Sequence, residues 1–415
     1  MGRKVRLVAV ITGLALVASV AASAAFGAHR ADPGVTSTTI TIGGTFPLTG
    51  VASLYKTIPA AEGAYFAYIN AKGGVNHRKI DFKVLDDAYN PAQTVPLTQQ
   101  LVEQTGIFAD FGSLGTAPNL SIWKYLNQKK VPQVLIATGD SYWGFSAKKY
   151  PWTIGYQPDY PGEGKVYGKY IATNSPNAKI GVLYQNDAFG KNYFAGLRVG
   201  LGARKSQIVA SQSYDPTQTS LVQQILALKS AGADTLVIFA LPSQAITALV
   251  TATKVGWSPT TFLGNVSANP IFLRIAAQNG ANVDGVISTA YLDSVSSAAQ
   301  ANLPGVKLTK SIIGTYAPPL MASVNAGDGN VIYGLSAAWT FVYALQHAGK
   351  TPTRAGLMKA LHSMTNVKDP FTYPGISLNT SATDNFPIEQ EILEKWGGGA
   401  TGDFTAFGKL YNNVR

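Results

Sequence analysis

The side chains that could do chemistry are few and poorly grouped. His29, His77, His347 and His362 stand far apart, and the chain of 415 residues has no cysteine. None of these imidazoles has a carboxylate at metal-ligand spacing, so tetrahedral zinc chemistry has nothing to build on. There is no G-x-S-x-G nucleophile elbow and no G-x-x-x-x-G-K-[ST] phosphate loop. The stretch 43–50 is glycine-rich but lacks the spacing of a dinucleotide fingerprint. Asp86-Asp87 is the one tempting carboxylate pair. Neighbours at a strand end point in different directions, which predicts turn formation or capping there rather than acid–base or metal work. The sequence therefore predicts no catalytic residue, no metal, no cofactor and no enzyme.

What remains are loops rich in glycine and hydroxyl groups, placed before helices. The best is 112–118, Gly-Ser-Leu-Gly-Thr-Ala-Pro, which would offer the Ser113 hydroxyl and unpaired helix-start amides to a carboxylate. Read alone, it could equally be an ordinary N-cap. Ala137-Thr138-Gly139 is a second loop of this kind. Asp187-Ala188-Phe189-Gly190 would bring a ring to a cleft from another part of the chain. The cluster Tyr142, Trp143, Phe145, Tyr150 and Trp152 is either hinge packing or a ligand-facing wall.

These loops need a scaffold, and the hydrophobic rhythm supplies one. Short apolar runs alternate with segments of helical period, the signature of a parallel sheet flanked by helices. Strands are expected at 38–42, 80–86, 107–111 and 131–137, with helices at 60–70, from 91 to about 104, and 118–127. After an aromatic and proline-rich passage at 142–161 the scheme restarts, with strands at 180–184, 208–213, 235–240 and 261–263. Helices are expected between these at 193–201, 220–230 and 243–255. A strand-like run at 286–289 and a helix at 334–348 follow. Two α/β lobes is the economical conclusion, and open sheets of this kind bind ligands outside the carboxyl ends of their strands.

Charged residues make up 13% of the chain, against about 25% in an average protein. The net charge of +11 comes from scattered cations without an arginine-rich run, which argues against nucleic acid as a partner. Arg3, Lys4 and Arg6 precede an apolar stretch from residue 7 to 22 and the small residues Ala22-Ser23-Ala24. That layout predicts a secretory signal peptide over residues 1–24 and a periplasmic or secreted protein. With no cysteine available for disulfides, the fold must be held by its core.

A resemblance then covers nearly the whole chain beyond the leader. It is carried by Ile42-Gly43-Gly44-Thr45-Phe46-Pro47-Leu48-Thr49-Gly50, by 70–80, by Asp86-Asp87-Ala88-Tyr89-Asn90-Pro91, and by Lys129-Lys130-Val131-Pro132. Tyr150-Pro151-Trp152-Thr153, Val182-Leu183-Tyr184-Gln185-Asn186-Asp187 and Phe386-Pro387-Ile388-Glu389-Gln390 continue it. In this order the chain resembles the solute-binding proteins of ABC importers in the leucine/isoleucine/valine-binding family. The resemblance implies a type I periplasmic binding protein: two Rossmann-like lobes joined by three crossings, here near 153–157, 285–289 and 371–374. The first lobe would be 36–154 plus 287–370, and the second 155–286 plus 371–415.

Carried over by position, the family's carboxylate-binding groups fall on Ser113, Ala137 and Thr138. The covering aromatic falls on Tyr55, with Leu54 as its alternative, and the second lobe's ring on Phe189. Members that bind amino acids hold the ammonium with an acid soon after the strand that here ends at Leu263. The residues at that point are Asn265, Val266 and Ser267, so a carboxylate ligand without an α-amine is expected. The implied partners are that small carboxylate and a membrane permease of an ABC importer, with the protein acting as a monomer. A ligand-sensing extracytoplasmic receptor is the alternative role.

Overall fold

The computed structural model describes residues 32–145 and 147–412; the expected signal peptide lies outside the described residues. The first sheet is wholly parallel, in the order β2-β1-β3-β4-β5. Its strands are β1 (Thr39–Phe46), β2 (Lys79–Asp86), β3 (Asp110–Phe111), β4 (Gln133–Ile136) and β5 (Thr153–Gly155). The helices between them are α1 (Thr57–Ala71), α2 (Pro91–Gln99), α3 (Thr116–Lys129) and α4 (Tyr142–Phe145). β1 is buried along nearly its full length, as a central strand covered on both faces must be.

A second unit of strand and helix follows. It comprises α5 (Tyr160–Asn174), β6 (Ile180–Gln185), α6 (Ala188–Leu201), β7 (Ile208–Tyr214), α7 (Val222–Ser230) and β8 (Thr235–Phe239). Next come α8 (Pro242–Lys254), β9 (Thr260–Leu263), α9 (Pro270–Gln278) and β10 (Ile287–Ala290). The second sheet runs β12-β11-β10-β9-β8-β6-β7, where β11 (Gln390–Gly397) and β12 (Asp403–Asn412) add an antiparallel hairpin to parallel strands.

The expected helix at 193–201 begins five residues earlier, at Ala188, because Asp187 caps it by accepting from the Gly190 N–H. The 142–161 passage also ends in α5, whose glycines hide its helical period. Glycines on both helices have a purpose: a Cβ at Gly164 of α5 would stand 2.3 Å from the Tyr193 carbonyl of α6, and one at Gly196 of α6 2.1 Å from the Pro161 carbonyl of α5. The two helices touch backbone to backbone.

The chain then returns to the first sheet through α10 (Pro304–Tyr316), α11 (Met321–Asn325), α12 (Gly329–His347) and α13 (Arg354–Leu361). α1 packs on α10 and α12. Residues 287–290, expected at the start of the first lobe's second segment, form β10 of the second sheet. Phe371, Ile376, Leu378 and Ile388 are buried in the hydrophobic cluster that also holds residues of β1, α1 and α12.

Candidate functional site

The cavity opens between the lobes, where strands of both sheets end, and measures about 140 Å³. Its first wall is the β3–α3 loop. Gly115 has φ +104°, and a Cβ there would come within 2.5 Å of the Tyr89 ring, so only glycine fits both the backbone and its neighbour. α3 then starts without a side-chain cap, and the Thr116 and Ala117 N–H groups find no partner among the described residues. Thr116 is the hydroxyl that lines the cavity.

Ser113, three residues earlier, is turned inward. Its Oγ donates to Asp110 at 2.7 Å and accepts the Thr45 N–H at 3.0 Å, which fixes β1 to β3. Thr138 also stands behind the wall. The Asp140 N–H donates to its Oγ1 at 3.3 Å, and that oxygen lies 2.7 Å from Thr116 Oγ1. If Thr138 passes its own hydrogen to Thr116, the Thr116 hydrogen is left to point at the cavity. Ala137 lines the cavity, its carbonyl accepting from Gly115 and its N–H donating to Ser113.

Asp86 and Asp87 shape the approach. The Leu48, Thr49 and Ala88 N–H groups and the Thr49 hydroxyl all donate to Asp86. Desolvation is the largest single influence and raises its carboxyl, but the four bonds together outweigh it and hold the carboxyl below the ordinary range. Asp87 is raised by burial and accepts from the Thr94 hydroxyl and the Tyr89 N–H. Together they keep Ala88 and Tyr89 at φ +52° and +62°, a left-handed pair that delivers the Tyr89 ring to the cavity.

From the first lobe, Tyr55 also lines the cavity, and its hydroxyl donates across the cleft to the Val266 carbonyl at 3.0 Å. From the second lobe, Phe189 packs edge-on to Tyr160 at 5.1 Å, and Tyr160 stacks on Tyr193 at 4.4 Å. Phe189 and Tyr160 both line the cavity. Asn265 lines it as well, but its amide donates to the Thr289 carbonyl. The Asn265 N–H donates to Glu163 at 2.7 Å, and Glu163 also accepts from Tyr167 and Tyr193. Burial pushes the Glu163 carboxyl up to about 7.

Four expected residues thus reach the cavity, namely Tyr55, Ala137, Phe189 and Asn265, while Ser113 and Thr138 support it from behind. The sequence reading missed Thr116, Tyr89, Gln157, Tyr160, Tyr291, Asp293 and Tyr333, all of which line it. Thr116 and Tyr89 lay within stretches already singled out. Within the aromatic cluster, Trp123 of α3 lies 5.3 Å from Trp143 and 3.8 Å from Tyr150, and Tyr142, Trp143, Tyr150 and Trp152 are absent from the cavity lining.

Further contacts tie the lobes at the rim. Asn192 of α6 donates to Asp140 at 3.0 Å and accepts from the Ser141 hydroxyl at 2.8 Å. Asn269 donates to Asp328 at 3.1 Å and accepts the Gly329 N–H at 3.0 Å.

A cleft of this kind, with its walls divided between two sheets and its anion-seeking helix start at the base, can be compared with known proteins. The family model described as periplasmic binding protein matches residues 39–392. The chain belongs to that family. Among curated relatives, a Leu/Ile/Val-binding protein homologue from Brucella melitensis is 25% identical over 354 residues, covering 84% of this chain and 89% of the relative. Among solved structures, a branched-chain amino acid ABC transporter protein from Thermus thermophilus, with bound valine, is 18% identical at TM-score 0.80, covering 91% of this chain and 97% of that one. A fatty acid ABC transporter substrate-binding protein from Thermomonospora curvata is 21% identical at TM-score 0.77, covering 91% and 94%. The two solved structures share the two-lobed fold of this chain, and the Brucella and Thermomonospora relatives are named as binding proteins.

Proposed function

We propose that this periplasmic binding protein is exported, captures a small carboxylate in the interlobe cleft and delivers it to the permease of an ABC importer. The observation that carries the reading is the start of α3. There Gly115 and Thr116 line the cavity, the Thr116 and Ala117 N–H groups have no partner among the described residues, and the positive end of the helix begins. The opposing rings of Tyr89, Tyr160 and Phe189 suit an apolar ligand body. Capture works by closure: the ligand touches both lobes only when Tyr55 meets Val266 and Asn192 meets Asp140, so it stabilises that state by its differential affinity.

The valine- and fatty-acid-binding relatives support a carboxylate as the common chemical feature. The test is a thermal-shift panel of aliphatic and aromatic acids beside their primary amides. Acids at about 100 times their dissociation constant add roughly 2.7 kcal/mol to stability. The acids should raise the melting temperature and the amides should not. Equal shifts from both would remove the carboxylate from the account.

A further inference from the structure

The carboxylate reading leaves one end of the cavity unused. Tyr291 and Asp293, on the second crossing after β10, line that end. Asp293 is 5% exposed, and its Oδ1 has no hydrogen-bond partner among the described residues. Its N–H donates to the Phe371 carbonyl at 2.9 Å. Its Oδ2 lies against Gly305, in the first turn of α10, where a Cβ would come within 2.8 Å of it.

The neighbouring acid is Asp369, whose carboxylate already accepts from the Ser336 and Tyr156 hydroxyls and the Phe371 N–H. Burial, with Asp369 alongside, pushes the Asp293 carboxyl up to about 7. Among the described residues, no lysine, arginine or histidine lines the cavity. The rings of Tyr55, Tyr291 and Tyr333 stand around the same space, and the Tyr333 hydroxyl is already directed to Gln157 at 3.2 Å. A buried acid with an unpartnered oxygen, in a cavity that also presents three tyrosine rings, is complementary to a cation.

This acid does not occupy the position at which amino-acid binders of the family carry theirs. α3, the carboxylate pole, packs with α2 and α6, whereas Asp293 touches the first turn of α10, which packs on α1 and α12. The two poles enter the cavity from different helical layers. At the position where amino-acid binders of the family carry their acid, Asn265 has already given its amide to Thr289. We infer that the cleft takes a zwitterion of the ω-amino acid class, its carboxylate at the start of α3 and its distal ammonium against Asp293. This rests on the carboxylate reading above.

The experiment is calorimetric titration of the chain and of Asp293→Asn and Asp293→Glu. The probes are 4-aminobutanoate, 5-aminopentanoate and 6-aminohexanoate beside butanoate, pentanoate, hexanoate and leucine. At least one ω-amino acid should bind about tenfold or more tighter than its amine-free parent and than leucine. Asp293→Asn should erase that advantage, read as the ratio of each ω-amino acid's affinity to its parent acid's on the same protein, and Asp293→Glu should keep part of it. Parent acids or leucine binding as tightly as every ω-amino acid, or a preference untouched by Asp293→Asn, would overturn the ammonium site and leave the carboxylate reading standing. Binding of the matched amides as well as the acids would overturn both. Should Asp293→Asn fail to fold, the comparison of acids on the unaltered chain still decides.

Discussion

The hydroxyl of Tyr55, on the first lobe, donates to the backbone carbonyl of Val266, on the second, at 3.0 Å. The same ring lines the cavity, so one side chain both covers the ligand and ties the lobes together. Tyr55→Phe keeps the cover and removes the tie. It should weaken ligand affinity by about 3- to 10-fold, the worth of one net hydrogen bond, with little change in ligand-free melting. Titration of the two proteins with the same acid checks this.

At the rim, Asn192 spends both ends of its amide on the other lobe, bonding to Asp140 and Ser141. Asn192→Ala removes both bonds at once. The expected result is faster ligand release, by about tenfold or more, with the association rate nearly unchanged, since such contacts form after encounter. Stopped-flow displacement separates the two rates.

Thr116 and Ser113 differ in the direction they face, and their variants should differ in kind. Thr116→Val removes a hydroxyl on a cavity-lining residue and should cost carboxylate affinity by about 5- to 50-fold, together with some stability because Thr138 loses its partner. Ser113→Ala leaves Asp110 and the Thr45 N–H without their partner, and should lower stability by about 1–3 kcal/mol. Melting and binding measured on both variants would tell them apart.

The buried carboxyls set an unusual pH dependence. Burial pushes Asp110, Asp159, Glu163, Asp293 and Asp369 up to about 7, and Asp140 to about 6. In the unfolded chain they return to values near about 4. Between those limits the folded state binds more protons than the unfolded, so stability falls as pH rises through 6 and 7. His362, lowered by burial, opposes this from about pH 6.5 downward, where the unfolded imidazole takes up its proton, and Asp86, lowered by its hydrogen bonds, opposes it only near about pH 4; one imidazole against six raised carboxyls leaves the direction unchanged. The melting temperature should be higher at pH 5 than at pH 8 by about 5 °C or more at matched ionic strength. A flat or rising profile would contradict this.

A fold-level variant follows from the α5–α6 contact. Gly196→Ala drives a methyl to within 2.1 Å of the Pro161 carbonyl, and the helices must part. A loss of about 1–3 kcal/mol in urea unfolding is expected.

The architecture was legible because β6 and β8 are short apolar runs and because the starts of α2, α6 and α8 are marked by proline or a capping side chain. α5 was not, because Gly164 and Gly168 interrupt its apolar face for the sake of contact with α6. The β11–β12 hairpin carries no parallel-sheet rhythm to announce it. Within the site, the loop 112–118 was recognisable, but Ser113 and Thr116 are both hydroxyls in it. Which of them faces the cavity depends on the left-handed turn at Gly115. Asp293 carries no motif. It reaches the cleft only because the second crossing brings it there, alongside Asp369 from a distant stretch of chain.

The measurement that bears most directly on the central claim is the ¹⁵N–¹H spectrum of the labelled chain. It would be titrated with whichever acid of the thermal-shift panel raises the melting temperature most. The Thr116 and Ala117 amide protons should move downfield and become protected from exchange as a carboxylate accepts their hydrogen bonds, and the matched amide should leave them in place. Saturation by the acid with those two resonances unmoved would mean that the ligand sits elsewhere and that the start of α3 is not its anchor.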